Sequence, residues 1–163
     1  MNYIKDIRKL VGNALLQMPS VTIVTLNDKG KILLMHHRDT DTWVAPGGSI
    51  EPGETPADAA VREMYEETGL IVELVSIKGV YGGPEFVVSY PNGDKTSYVM
   101  TIFEAVATGG KLEAIDNEAK ELKYFTLKEA LKLNTQPWLK SILPKLFDKN
   151  EKADFVKAKR KPE

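Results

Sequence analysis

The sequence predicts an α/β fold of mixed layers. Strand-like and helix-like segments alternate irregularly, and neither an internal repeat nor a linker divides the chain. Its 163 residues, with 42% hydrophobic content, suit one compact domain with an ample core. The expected organisation is an N-terminal helix over 1–19, a core over 20–147 and a charged tail over 148–163.

The elements follow in order. Ile4, Ile7, Leu10, Val11, Ala14, Leu15 and Met18 recur at helical spacing, which predicts an amphipathic helix ending before Pro19. It either covers its own core, the simpler reading, or makes a homodimer contact. Val21–Leu26 is β-branched and reads as a strand, Asn27-Asp28-Lys29-Gly30 as a turn, and Lys31–His37 as the returning strand. Asp39–Glu54, rich in Gly, Pro, Asp and Thr, is expected to be a long loop.

A helix follows, with Thr55 as cap, Pro56 in the first position, Asp58 in the first turn and Gly69 as stop. Ile71–Tyr81 and Glu85–Tyr90 read as strands separated by a break at Gly82-Gly83-Pro84, itself a candidate substrate-side loop. Pro91-Asn92-Gly93-Asp94 predicts a hairpin into Lys95–Ala107, with Gly109-Gly110 as a break. Glu121–Thr126 reads as a strand, Leu127–Leu133 as a short helix, and Gln136–Phe147 as a helix that Pro144 ends or kinks. The tail from Asp148 is expected to fray.

Composition narrows the function. With 22 Lys+Arg against 23 Asp+Glu, nothing calls for general binding to nucleic acid or an anionic membrane. The absence of cysteine excludes disulfides, thiolate zinc sites and cysteine nucleophiles. No apolar stretch suits a signal peptide or a membrane span, so a cytoplasmic setting is the expectation.

The chemistry concentrates between Gly48 and Leu70. At about 100° per residue, Glu63, Glu66 and Glu67 share one side of the helix. Ala57, Ala60, Val61, Met64 and Thr68 fall on the other, which is expected to pack on a sheet. Neighbouring like charges destabilise a helix and raise one another's pKa unless something neutralises them. A divalent cation does so, and Mg²⁺ or Mn²⁺ favours carboxylates shared with substrate phosphates. The Pro46-Gly47-Gly48 turn lets backbone approach closely. Together these point to metal-assisted phosphate chemistry, with a carboxylate free to take a proton from water. An acidic helix face alone is more often merely solvated, but the whole spacing is not common: chance agreement at every position is on the order of 10⁻⁷.

The segment, Gly48, Glu54, Arg62-Glu63-Met64-Tyr65-Glu66-Glu67-Thr68-Gly69-Leu70, resembles the Nudix box of the Nudix hydrolases. Trp43-Val44-Ala45-Pro46-Gly47-Gly48 looks like that family's approach to the box, although Leu is more usual where Ala45 stands. A weaker likeness in strand order spans residues 20 to 133. The resemblance implies an α/β/α sandwich with a mixed β-sheet and a loop–helix–loop catalytic segment. It implies that Glu63, Glu66 and Glu67, with a backbone carbonyl near Gly48, bind Mg²⁺ or Mn²⁺, and that Arg62 and Glu54 hold loop and helix in register. The general base is either a box glutamate or a glutamate before the last strand, where Glu118 stands.

Other residues are weighed on their own chemistry. Gly47 and Gly48 are candidate substrate contacts, as is Trp43, although packing beneath the glycine-rich loop is the stronger reading for the indole. Tyr81, Phe86 and Tyr98 either line a base pocket or, as strand aromatics usually do, fill the core. His36 and His37 point to opposite faces of a strand and cannot form a simple paired metal site. Lys78, Arg38 and Lys95 either meet phosphates or are ordinary surface charge. The expected function is Mg²⁺-dependent hydrolysis of a pyrophosphate bond in a nucleoside diphosphate linked to another group. Trimming of RNA 5′ ends and non-catalytic nucleotide binding are the alternatives.

Overall fold

The computed structural model describes residues 3–148 and 152–158. The chain runs through helix α1 (Tyr3–Val11), strands β1 (Leu16–Thr25), β2 (Ile32–His37) and β3 (Trp43–Val44), and helix α2 (Pro56–Thr68). It continues through β4 (Leu70–Tyr81), β5 (Val87–Ser89), β6 (Lys95–Gly110), β7 (Ala119–Phe125), helices α3 (Leu127–Ala130) and α4 (Pro137–Leu146), and β8 (Asp154–Phe155). One sheet has the order β1-β6-β4-β8, with β5 also on β6; the other is β3-β2-β7. The first is mixed: β1 lies parallel to β6, β6 antiparallel to β4, and β4 parallel to β8.

Alternating side chains give the sheets two buried faces. Val21 and Ile23 of β1, Leu33 of β2 and Phe103 of β6 pack with Ala59, Ala60 and Met64 of α2. Val24, Ile32, Leu34 and Ile102 point the other way, toward Trp138, Leu139, Ile142 and Leu143 of α4. The result is a helix–sheet–helix sandwich in which α2 has the sheet behind it and its acidic side forward.

The box helix forms where its local signals place it. Thr55 accepts from Asp58 N–H, Pro56 opens the first turn, and Gly69 closes the last at φ 69° with its N–H on Tyr65 O. A side chain at Gly69 would put Cβ 2.4 Å from Lys111 O, so both space and φ require glycine.

Several expectations need correction. The N-terminal helix stops at Val11, not before Pro19, because Gly12 turns left-handed at φ 58° and caps it by donating to Arg8 O. Leu16–Met18 instead extend β1 opposite Thr96–Tyr98. No residue of α1 is buried, so it does not cover a core of its own. Ala57 and Val61 are exposed, and Ala59 takes the packing position on α2. Gly109-Gly110 do not break β6; they pair with Ile71 and Leu70. Pro84–Phe86 form a 3₁₀ turn before the short β5, and Pro144 lies within α4 without ending it. The tail is not wholly frayed: Asp154 and Phe155 pair with Gly79 and Val80, and Asp154 accepts from Tyr81 Oη at 2.7 Å and pairs with Lys145. Tail residues 149–151 and 159–163 lie outside the described residues.

Candidate active site

The loop before α2 is laid along β1. Val21 N–H donates to Gly48 O at 2.9 Å and Ile23 N–H to Pro46 O at 2.8 Å. The N–H of the Pro46–Gly47 peptide points away from its oxygen, so Gly47 N–H donates to Glu67 Oε2 at 2.7 Å. This extended run, read with a period of two, ties the loop to strand and helix at once. Gly47 has φ 149°, and a Cβ there would sit 2.2 Å from Val21 O. A Cβ on Gly48 would sit 2.5 Å from Glu63 Oε1. Two adjacent glycines thus serve different contacts, one with backbone and one with a carboxylate.

Arg62 organises the acidic side. Its Nε and Nη2 grip Glu54 at 2.6 and 2.8 Å, and Nη2 also donates to Ser49 O at 3.2 Å. Its Nη1 reaches Glu63 at 2.8 Å and Glu66 at 3.0 Å. Glu54 also accepts from Glu51 N–H at 2.9 Å, so loop and helix are held through a planar fork. The Arg62 hydrogen bonds, with that backbone N–H, hold the Glu54 carboxyl down to about 2. The sign follows: Glu54 is depressed on folding, so the pair's stabilisation is fully present above the unfolded carboxyl range, near 4.3, and is lost as pH falls toward 2. Urea titrations of wild type and Glu54→Gln are therefore expected to differ by a constant amount above about pH 5 and to converge on acidification. Curves that stay parallel down to about pH 2 would show that the pair contributes nothing through ionisation.

The three box glutamates are not alike. Glu66 is exposed, Glu63 half-buried, and Glu67 only 2% exposed. Burial pushes the Glu63 acid up against the opposing pull of Arg62, and pushes Glu67 well up against that of Gly47 N–H. Among the described residues no three His, Asp or Glu side chains converge on one point as a metal-ligand set. Glu63 and Glu66 both turn to Arg62, and Gly48 O accepts from Val21.

In front of the box lies a cavity of about 290 Å³. Part of its lining is polar and anionic: Gly47, Gly48, Glu51, Glu63, Glu118 and His37. Another part is aromatic or apolar, including Val88, Tyr90, Tyr98, Met100, Trp138 and Ile4. Tyr90 and Tyr98 join their hydroxyls at 2.6 Å, and burial raises both phenols. The Ser20 hydroxyl, also on this lining, is buried and has no hydrogen-bond partner among the described residues. Glu118 stands on the loop before β7, 3.9 Å from His37 Nε2; partial removal from water and then Asp116 push its acid up.

Of the residues singled out from sequence, the cavity lining brings together Gly47, Gly48, Glu63, Glu118 and Tyr98. Trp43 is outside that lining, stacked on His36 at 5.0 Å and edge-on to Phe125 at 4.8 Å. Tyr81 and Phe86 lie in the core. Lys78 is buried and donates to Asp148 O, while Arg38 donates to Asn117 O at 2.7 Å and so braces the loop that carries Glu118. Sequence reasoning missed Ser20, Tyr90, Trp138 and the orientation of His37. The alternation of β2 carried the last of these, since one of two adjacent histidines must face this side.

A family model described as the NUDIX domain matches residues 16–146. The putative 8-oxo-dGTP diphosphatase of Bacillus subtilis (strain 168) is 35% identical over 102 residues, covering 63% of this chain and 62% of that protein. The ADP-ribose pyrophosphatase of Methanocaldococcus jannaschii is 38% identical over 120 residues, covering 71% of this chain and 66% of its own length. The chain thus spans just under two thirds of these curated relatives. Among solved structures, a UDP-X diphosphatase superposes with a TM-score of 0.70 at 19% identity, over 94% of this chain and 73% of that one. The mutator MutT protein from Bacillus halodurans gives 0.69 at 22% identity, over 85% and 86%. At such identities these two likenesses speak for the fold.

Proposed function

The chain belongs to the Nudix family, and from that premise we propose that it hydrolyses a pyrophosphate bond in a nucleoside diphosphate linked to another group, with Mg²⁺ or Mn²⁺ as cofactor. The observation that carries this is the cavity, where an acidic box rim and an aromatic wall share one space. Nudix hydrolases are generally divalent-metal dependent, and the donor set here suits a hard cation. Glu67 is a buried carboxylate, and burial raises both it and Glu63. A cation supplies the positive charge that would keep them ionised.

Glu63, Glu66 and Glu67, with the remaining lone pair of Gly48 O, are the groups assigned to hold the ion. Bound there, it would withdraw charge from phosphorus and neutralise the diphosphate. The chain's own residues do the rest. Arg62 and Glu54 set the angle between loop and helix, and Gly47 N–H fixes one oxygen of Glu67. Glu118, on the same cavity lining as Glu63, is assigned to accept the proton of the attacking water, and its raised acid suits that task. Tyr90, Tyr98 and Trp138 offer flat apolar surface to a nucleobase. Among the described residues no lysine or arginine is on the lining, which favours a small nucleotide over a long RNA strand.

The test is a panel of ADP-ribose, 8-oxo-dGTP, a dinucleoside polyphosphate, a UDP-sugar and 5′-triphosphorylated RNA, with Mg²⁺ or Mn²⁺ and products read by mass. Metal-dependent cleavage of at least one small nucleotide, abolished by EDTA, is expected. Cleavage of the RNA alone would replace this reading with the RNA one, and no cleavage of any would overturn it.

A further inference from the structure

Helix α1 lies outside the family match, which begins at residue 16, and none of its residues is buried. Even so, Ile4 is on the lining of the cavity. One side chain ties the helix to the neighbouring hairpin. The Arg8 guanidinium donates to Gly12 O at 3.0 Å and Ala14 O at 2.7 Å through Nη1. Through Nη2 it donates to Lys95 O at 2.8 Å and Thr96 Oγ1 at 3.2 Å, and Asp94 is 3.6 Å from its Nε. Lys95 and Thr96 begin β6, just before Tyr98 of the cavity wall. The turn after α1 is tight against the same hairpin, since a Cβ on Gly93 would come 2.7 Å from Asn13 Nδ2. On its other flank, Tyr3, Ile7 and Leu10 border a shallow groove whose far side is Glu51 and Pro52 of the box loop. The helix therefore bridges the β5–β6 hairpin and the box loop beside the cavity.

We propose that α1 is a wall of the substrate cavity and that Arg8 is the positioning residue that holds Ile4 against the bound nucleotide derivative. The inference rests on the cavity being the substrate site, as argued above. Ile4 is an apolar member of a lining that also holds Tyr90 and Tyr98, and its chemistry suits the nucleoside rather than the diphosphate. Arg8 reaches the same region: its charge pulls both phenols down against burial. It touches no substrate and acts through the backbone it fixes. A wall held by polar contacts, with no core beneath it, contributes ground-state binding and leaves the reacting atoms alone.

The test compares the full chain with Ile4→Ala, Arg8→Ala and the double variant. It measures kcat and KM on ADP-ribose and 8-oxo-dGTP with Mg²⁺, and Kd for ADP by calorimetry. Each single variant is expected to raise KM and Kd about 3- to 10-fold with kcat within about twofold, the pattern of lost uniform binding. The double variant should be no worse than the weaker single one, because Arg8 works through Ile4. An active wild type whose KM and Kd are unmoved in both single variants, or whose losses add in full, would overturn the inference alone. A wild type that cleaves none of the small nucleotides of the panel above and does not bind ADP would instead remove the functional reading, and this inference with it.

Discussion

Glu67→Gln is expected to lower kcat by at least about 10²-fold while leaving the protein as stable as wild type. The loss should exceed the roughly 10- to 100-fold typical of residues that merely orient a metal ligand. The stability expectation comes from burial. Glu67 is 2% exposed, and removal from water is the largest influence on its acid, so its charge is a cost to folding. The amide keeps the shape, and its oxygen can still accept from Gly47 N–H. Urea midpoints within about 1 kcal/mol, or shifted upward, together with lost turnover, would separate a catalytic carboxylate from a structural one. Retained turnover under saturating Mg²⁺ would remove Glu67 from the ligand set.

The two glycines give the second large effect, through their contrast. Gly47→Ala sets a Cβ 2.2 Å from Val21 O and 2.8 Å from Thr22 Cα, at φ 149°. Neither backbone atom can swing aside, and that φ is close to glycine-only, so about 2–4 kcal/mol of stability should be lost along with activity. Gly48→Ala meets a side chain instead, 2.5 Å from Glu63 Oε1. The carboxylate can rotate, so stability should fall by less than about 1 kcal/mol while kcat drops by about tenfold or more, because Glu63 leaves its place. Denaturation and kinetics on the same two variants check this. Equal destabilisation would mean that Gly48 is not shaped around Glu63.

These effects also mark what could be read in the sequence. Helix α2 was legible to the residue because its cap, first-turn proline and terminal glycine are local signals, and so was the acidic side they create. The depth of Glu67 was not, because it depends on β1 and the loop closing over one edge of the helix. Ala14, Leu15 and Met18 continue the apolar spacing of the N-terminal helix, so the spacing alone overshoots its end. Gly12 and the pairing of Leu16–Met18 with β6 override that spacing, and the partner strand lies far along the chain. The same distance hid the cavity wall. Tyr90, Ser20 and Trp138 come from the β5–β6 hairpin, β1 and a late helix, and only the parallel β1–β6 pairing and the docking of α4 make them neighbours. The β8 pairing was hidden by composition, since charge in the tail outweighed a short segment whose Asp154 satisfies Tyr81 and Lys145.

The most direct test of the account is Mn²⁺ binding, followed by electron paramagnetic resonance, to the wild type and to Glu67→Gln, each with and without ADP. If one side of α2 gathers a cation that carries the diphosphate, the wild type binds Mn²⁺ more tightly once ADP is added, and the variant loses that gain. Equal Mn²⁺ affinity in the two proteins, with ADP making no difference to either, would contradict it.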